Sequence, residues 1–208
     1  MSIDERILHI VFSALFLVFL FERGYFQAKA MKLSGEARKF RESKRKMATM
    51  IFLFLVAQLW VIGSFIYIFY PSAMAWTRFP IPAWIRWSGV IITVVGMALE
   101  FSTQLNLGKN YSTTLHISEG QSLVTSGPYR YVRHPMYTAL IMVGVGIGIL
   151  STSWYFLIPF IATGIVIAFR IGREEEAMIE KFGDEYIQYA QVTGRFFPLI
   201  RRNQNYYD

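Results

Sequence analysis

Long apolar runs separated by short polar stretches dominate the pattern of this 208-residue chain. A helix of about 20 apolar residues spans a bilayer, and a shorter run can extend into its polar flanks. The pattern predicts spans at 7–21, 47–70, 83–101, 136–150 and 154–171. The sequence therefore predicts an all-α integral membrane protein with about five transmembrane helices.

The C-terminal third of the chain predicts a hairpin followed by a surface helix. Only residues 151–153 separate the last two spans, so we expect them to form a tight antiparallel hairpin. The fourth span is short for a bilayer, and we expect its helix to begin inside the preceding polar stretch. Residues 174–190 show an apolar stripe at helical spacing, which predicts a cytoplasmic amphipathic helix that Gly183 breaks or caps.

Composition and charge support a membrane location. The chain is 54% hydrophobic and carries a formal net charge of +7. Basic residues beside apolar spans set membrane orientation more often than they bind nucleic acid. Eighteen of the 21 basic residues fall on one side of the predicted spans, nine of them in the basic loop 22–46. We expect the N-terminus outside, and the loop between spans three and four and the C-terminus in the cytoplasm.

Several classes of site are disfavoured. The chain has no cysteine, which excludes disulfides and thiolate metal sites, and its three histidines lack paired spacing, so we expect no metal. Gly144, Gly146 and Gly148 lie inside an apolar span, which argues against a phosphate-binding loop, and the spacing of Gly144 and Gly148 predicts close helix packing. The first apolar run lacks a basic start and a cleavage site, so we interpret it as a retained span.

The most concentrated chemistry lies just before the fourth span, in the stretch 127–137, Gly-Pro-Tyr-Arg-Tyr-Val-Arg-His-Pro-Met-Tyr. Ionisable residues at a membrane segment are costly and are often functional. Pro135 disfavours helical geometry at His134, which places the imidazole at the mouth of the span, beside Arg133 and Tyr137. Both a helix-capping role and a functional role for His134 remain open.

A second polar cluster ends the fifth span. Arg170 and Glu174 are four residues apart and share one helix face. A surface ion pair would contribute little, but a guanidinium at the end of an apolar span can also hold an anion. The carboxylates 174–176 can attract a cation. The residues alone leave both interpretations open.

These motifs together resemble a known family. Arg133-His134-Pro135-Met136-Tyr137, the short hairpin, Arg170-Ile-Gly-Arg-Glu174-Glu175 and Phe182-Gly183-Asp184-Glu185-Tyr186 resemble the isoprenylcysteine carboxyl methyltransferase family. That family belongs with the small membrane methyltransferases that include phospholipid N-methyltransferases. The resemblance covers 106–198, whereas upstream only the number and placement of spans agree. Five spans resemble a compact prokaryotic form rather than the larger animal members.

The resemblance implies a cofactor, a substrate and a set of site residues. It implies one domain, 1–208, with N-terminal spans in 1–105 and a catalytic half in 106–198 that binds S-adenosylmethionine on the cytosolic side. The cofactor-binding residues it implies are Gln121, Ser122, Leu123, Val124, Tyr129, His134, Pro135, Met136, Tyr137 and Glu174. Arg170 would bind the substrate carboxylate, and Arg170, Glu174 and Arg133 are the catalytic candidates. His116 matches no motif.

Alternative functions stay open at this point. We expect a lipophilic or lipid-tethered substrate entering from the bilayer, contact with membrane lipids, and no nucleic acid. A lipid amine could replace the carboxylate, and His134 or a carboxylate of 174–176 would then act as base. A sterol-reductase-like enzyme with a nicotinamide cofactor and a non-enzymatic scaffold that binds lipid headgroups are further alternatives.

Overall fold

The computed structural model of the protein describes residues 3–33, 44–107 and 122–199. These residues form six α-helices: α1 (Ile3–Leu33), α2 (Lys44–Phe69), α3 (Ala83–Leu107), α4 (Pro135–Ser151), α5 (Trp154–Phe182) and α6 (Asp184–Val192). Short 3-10 helices occupy Pro71–Thr77 and Gly127–Arg130. Helices α1, α2, α3 and α5 are long and apolar enough to cross a membrane, and α4 is a shorter apolar helix. The predicted all-α membrane fold is confirmed.

The helices run up and down, so that alternate connections lie at opposite ends. At one end the ring nitrogen Nε2 of His9 on α1 lies 3.1 Å from the carbonyl of Ile68 on α2. There too, Arg86 on α3 donates to the carbonyl of Leu150 on α4 at 3.0 Å. The opposite end, which we call the polar end, therefore holds the C-terminal ends of α1, α3 and α5 and the start of α4.

An aromatic core joins α1, α2 and α5 near the end of the bundle that lies opposite the polar end. Phe12, Tyr67 and Phe156 are almost completely buried. Their ring centroids lie 4.5 to 5.8 Å apart in tilted and edge-on pairs, an arrangement that aromatic rings prefer over face-to-face stacking. This packing leaves the outer faces of α1 and α2 to lipid, where most of the exposed side chains are apolar.

Glycines place α4 tightly between α3 and α5. A Cβ at Gly146 would overlap the carbonyl of Gly89 on α3. A Cβ at Gly144 would overlap the ring of Phe160 on α5, and one at Gly148 would meet another α5 side chain. The prediction that Gly144 and Gly148 serve helix packing is confirmed, and Gly146 likewise meets a neighbouring helix where a larger side chain would clash.

Two helix boundaries differ from the sequence prediction. Helix α1 continues to Leu33, so the first part of the basic segment 22–46 is helix rather than loop. Helix α5 continues to Phe182, so the first half of the predicted helix over 174–190 is a continuation of the fifth span. Gly183, with φ +53°, ends α5 as expected, and α6 follows it. At 1.5 Å per residue α5 is roughly 44 Å long, which carries its last turns beyond a hydrocarbon core of about 30 Å.

Candidate functional site

Glu174 on α5 binds side chains from two helices at the polar end. Tyr137 in the first turn of α4 donates its hydroxyl to Glu174 Oε1 at 2.8 Å. Arg170, one turn earlier on α5, donates its Nε–H to the same oxygen at 2.7 Å. The predicted pairing of Arg170 with Glu174 is confirmed, and both side chains are mostly buried, at 24% and 20% exposure.

His134 connects the start of α4 to the same face of α5. It occupies the N-cap position of α4, with Pro135 as the first helical residue, but its side chain makes no capping hydrogen bond. The imidazole points to α5 instead: Nε2 lies 3.2 Å from Glu175 Oε1 and Nδ1 lies 3.8 Å from Glu174 Oε2. The ring also stacks on Tyr137 with centroids 5.7 Å apart. The side-chain capping role considered for His134 is therefore not observed.

The surroundings of His134 determine its protonation. Burial lowers the pKa of His134 below its ordinary value, against the opposing effects of the Glu175 hydrogen bond and the nearby carboxylates. The ring is therefore neutral at neutral pH, with one nitrogen donating and the other accepting. Since Nε2 faces a carboxylate, Nε2 carries the proton and Nδ1 keeps its lone pair. Nδ1 and Glu174 Oε2 thus form two neighbouring acceptors, which suit a cationic donor.

Glu175 organises the residues around this pair. Its carboxylate accepts a hydrogen bond from Arg133 Nε at 3.1 Å and from His134 at 3.2 Å. Arg195 binds it as well, with Nε at 3.2 Å and a second, shorter contact from Nη2. The sequence places Glu175 in the acidic run 174–176 and in the motif that begins at Arg170, but it predicts no role for this residue. The next carboxylate, Glu176, is exposed.

A C-terminal strap, residues 193–196, closes over the start of α4. The backbone N–H of Arg133 donates to the carbonyl of Gly194 at 2.7 Å, and that of His134 donates to the carbonyl of Arg195 at 3.0 Å. The ring of Phe196 lies 6.3 Å from that of His134. The next residue, Phe197, is 75% exposed, so Phe196 covers the site and Phe197 does not. No sequence signal indicated this backbone pairing.

Arg133 has protein acceptors for its donors. Besides Glu175, its Nη1 donates to the carbonyl of Ala190 at 2.8 Å and to the carbonyl of Thr193. Its side chain is only 13% exposed. This geometry makes Arg133 a residue that holds the strap and α6 against the start of α4. Its predicted catalytic role stays a prediction.

The remaining predicted cofactor residues lie in the first turn of α4, in the segment before it, or outside the described residues. Pro135 is buried, Met136 is half-buried in the first turn of α4, and Tyr129 lies on the 3-10 helix, where its carbonyl accepts the hydroxyl of Tyr189 at 2.7 Å. Residues 122–124 precede that helix, and no hydrogen bond among the described residues joins them to His134 or Glu174. Gln121 and His116 lie outside the described residues.

Comparison with known proteins gives a consistent result. A family model described as the isoprenylcysteine carboxyl methyltransferase family matches residues 89–180, just under half of the chain. A protein-S-isoprenylcysteine O-methyltransferase of Xenopus laevis is 28% identical over 57% of this chain and 42% of that protein. Form B of the enzyme in Arabidopsis thaliana is 29% identical over 56% of this chain and 61% of that protein. The chain thus spans about half the length of the curated relatives it matches.

The fold has a solved counterpart. A eukaryotic intramembrane Ras methyltransferase superposes with a TM-score of 0.59 and 22% identity, covering 91% of this chain and 67% of the other. Fold and site together define a multi-pass helical membrane protein with a polar site at one end of its bundle. The family match and the named relatives show that residues 89–180 are similar to the isoprenylcysteine carboxyl methyltransferase family.

Proposed function

We propose that the protein is an S-adenosylmethionine-dependent methyltransferase that methylates a carboxylate on a lipophilic, isoprenylcysteine-like substrate at the cytoplasmic face. The observation that carries this proposal is the meeting of Tyr137, Arg170 and His134 at Glu174. This group joins an anionic side chain, suited to a cationic cofactor, with a guanidinium suited to a carboxylate. Residues 106–198 would supply this chemistry, and 1–105 would supply the membrane spans.

The chemistry of the donors and acceptors fits this cofactor. S-adenosylmethionine carries an amino-acid ammonium and, when bound, supplies the electrophilic methyl group of its sulfonium. Glu174 Oε2 and the unprotonated Nδ1 of His134 would accept hydrogen bonds from the ammonium. Tyr137 and the segment from 121 through Tyr129 would enclose the remainder. Pro135 and Met136 would position these groups at the start of α4.

Arg170 would orient the substrate. Its Nε–H is already bonded to Glu174, which fixes the plane of the guanidinium and leaves four further N–H donors on its two terminal nitrogens. Such a fork binds a carboxylate bidentately. A carboxylate is a nucleophile at neutral pH, so the residues need to align it and exclude water, and no general base is required. Phe196 and the strap would contribute to excluding water.

The membrane arrangement supports access from the bilayer. Arg170 lies about 24 Å along α5 from Trp154, close to the far boundary of a hydrocarbon core of about 30 Å. A lipid tail could stay among the helices while its polar end reaches Arg170. The concentration of basic residues in the segments at the polar end of the bundle supports a cytoplasmic location for this end.

One observation favours methylation of a lipid amine as the second candidate. An amine must lose a proton before it attacks a methyl group, and the neutral His134 presents an unprotonated Nδ1 beside Glu174 that could take it. The carboxylate substrate is preferred because Arg170 would repel a protonated amine at the substrate position. The chemical identity of the methyl acceptor, a carboxylate or an amine, therefore distinguishes the two candidate functions.

The test is methyl transfer from isotopically labelled S-adenosylmethionine by the purified full chain. Three acceptors are compared: an S-prenylated N-acyl cysteine, its carboxamide, and a phospholipid with a primary amine. We expect methylation of the free carboxylate alone, and loss of transfer in Arg170→Ala with cofactor binding retained by calorimetry. Methylation of the amine alone would establish the second candidate. If S-adenosylmethionine does not bind the folded protein, the proposal is wrong, and the nicotinamide and scaffold alternatives are tested next.

A further inference from the structure

A second buried polar group lies between α1 and α3. Arg23 on α1 donates from Nη1 to Glu100 Oε1 on α3 at 2.7 Å. Gln104, one turn further along α3, donates to the same oxygen at 3.3 Å. Glu22 precedes Arg23 on α1 and lies within electrostatic range of Glu100. We call Glu22, Arg23, Glu100 and Gln104 the α1–α3 cluster.

The α1–α3 cluster is separate from the site around Glu174. It lies at the polar end, because Asn106 at the end of α3 lies against Gly127, which begins the 3-10 helix that carries Tyr129. It belongs to the α1–α3 interface, whereas Glu174 faces α4. None of its residues contributes to the methyl-transfer proposal.

Three buried oxygens of this cluster have no hydrogen-bond donor among the described residues. Glu22, Glu100 and Gln104 are only 8%, 3% and 2% exposed. Within the described residues each retains one buried oxygen with no hydrogen-bond partner: Glu22 Oε1, Glu100 Oε2 and Gln104 Oε1. Native structures rarely leave buried polar atoms unpaired, and each such atom destabilises the fold unless a ligand or water binds it. An unexplained amide oxygen, independent of the two carboxylates, therefore points to a missing donor.

The charge of the cluster identifies the kind of donor. With both carboxyls ionised, the two carboxylates and the one guanidinium give a formal charge of −1 inside a membrane-spanning pair of helices, where an uncompensated charge is strongly unfavourable. A neutral donor would satisfy the oxygens and leave that charge. A protonated primary amine supplies one positive charge and three N–H donors, which matches the charge and the three unpaired oxygens.

The surroundings indicate an amphiphile as the source of the amine. Arg23 is 37% exposed, so the cluster is open on its side. Large apolar side chains of α1 and α3 near it face outward: Phe21 is 79%, Leu105 50% and Phe101 46% exposed. An alkyl chain could lie on these side chains while its ammonium enters the cluster.

We propose that the α1–α3 cluster binds the protonated primary amine of an amphiphile from the bilayer, with Glu22, Glu100 and Gln104 as the acceptors. This site is independent of methyl transfer. The bound amine would neutralise the cluster and hold α1 against α3. The shared chemistry fits both a lipid with a primary ammonium headgroup and a free long-chain amine.

The test measures binding to the purified full chain in nanodiscs of phosphatidylcholine, by native mass spectrometry and thermal stability. Dodecylamine is compared with dodecanol, which lacks the charge, and with dodecyltrimethylammonium, which keeps the charge but has no N–H donor. We expect dodecylamine to bind at least tenfold more tightly than either. Nanodiscs containing phosphatidylethanolamine identify the source: retention of this lipid indicates a headgroup, and its loss with dodecylamine still bound indicates a free amine.

Matched variants locate the binding. Glu22→Gln removes the charge and Gln104→Met removes the amide oxygen, and each should reduce the preference for dodecylamine at least tenfold. Glu180→Gln, an exposed carboxylate on α5, is the control and should bind as the wild type does. Equal binding of the three probes by the wild-type protein overturns the proposal, since it would mean that a proton or water satisfies the cluster. A preference that survives in folded Glu22→Gln overturns it as well.

Discussion

The substitution Glu175→Gln tests whether this carboxylate holds the strap over the site. Glu175 accepts hydrogen bonds from Arg133, His134 and Arg195. The first two come from side chains only 13% and 11% exposed. Glutamine keeps the size of the side chain but loses the charge, and its amide group turns two donors toward the arginines.

The size of the effect follows from burial. A hydrogen bond to a charged group contributes about 1.5–3 kcal/mol, so the two buried bonds together are estimated at about 3 kcal/mol after allowing for one bond that glutamine can retain. The bonds from Arg195 count for less, because its side chain is 54% exposed and exposed ion pairs contribute roughly 0–1 kcal/mol. A loss of about 3 kcal/mol corresponds to roughly a hundredfold larger population in which the strap is detached.

Hydrogen exchange measures that population directly. The amide hydrogens of Arg133 and His134 are bonded to the strap carbonyls of Gly194 and Arg195, and they exchange only when the strap opens. We expect their exchange in Glu175→Gln to be roughly a hundredfold faster than in the wild type. Glu176→Gln, the exposed neighbour, is the control. Unchanged exchange at both amides in a folded Glu175→Gln protein would refute this reasoning.

Three further predictions concern other parts of the structure. Burial lowers the pKa of His134 below its ordinary 6.5, so the stability that neutral His134 contributes is present above pH 6.5 and is lost as the pH falls through the lower native pKa. The thermal midpoint should therefore fall more between pH 7 and 5 in the wild type than in His134→Gln. Equal falls in the two proteins would contradict this prediction. Gly146→Val inserts a side chain against α3 and should lower the stability to thermal unfolding by at least about 2 kcal/mol. Gly164→Ala is the control, because Gly164 has open space around it, and it should not lower the stability. Equal thermal midpoints for the two variants would contradict the packing role of Gly146. Tyr137→Phe removes the hydrogen bond to Glu174 and should weaken S-adenosylmethionine binding about tenfold in calorimetry, equivalent to about 1.4 kcal/mol. An unchanged affinity would contradict this prediction.

The membrane helices were predictable because apolar runs of spanning length have few alternatives. The glycines of α4 were predictable for a related reason: a small residue within an apolar helix has little use other than close packing. The helix ends were less predictable. Hydropathy falls at Glu22 and Arg23, yet α1 continues, because Arg23 has its partner 77 residues away on α3. A pattern of single residues contains no such long-range pairing.

The candidate site also has one part that the sequence predicts and another part that it does not. The pairing of Arg170 with Glu174 follows from helix spacing, so the sequence predicted it. The role of Glu175 depends on Arg133 and Arg195, which approach it only because α6 returns the chain to the start of α4. The pairing of Arg133 with Gly194 joins backbone groups about 60 residues apart, and a sequence pattern does not specify such a pairing.

Two consecutive glutamates on α5 have different surroundings, and this difference is the basis of the proposed mechanism. Adjacent helical residues point about 100° apart, so Glu174 faces Tyr137 while Glu175 faces the strap. Glu175 accepts bonds on both oxygens from protein donors. Glu174 accepts both of its bonds on Oε1, and its Oε2 has His134 Nδ1 at 3.8 Å, too far for a hydrogen bond. A ligand can therefore bind Glu174 without breaking the contacts that hold the site together, whereas binding at Glu175 would displace them.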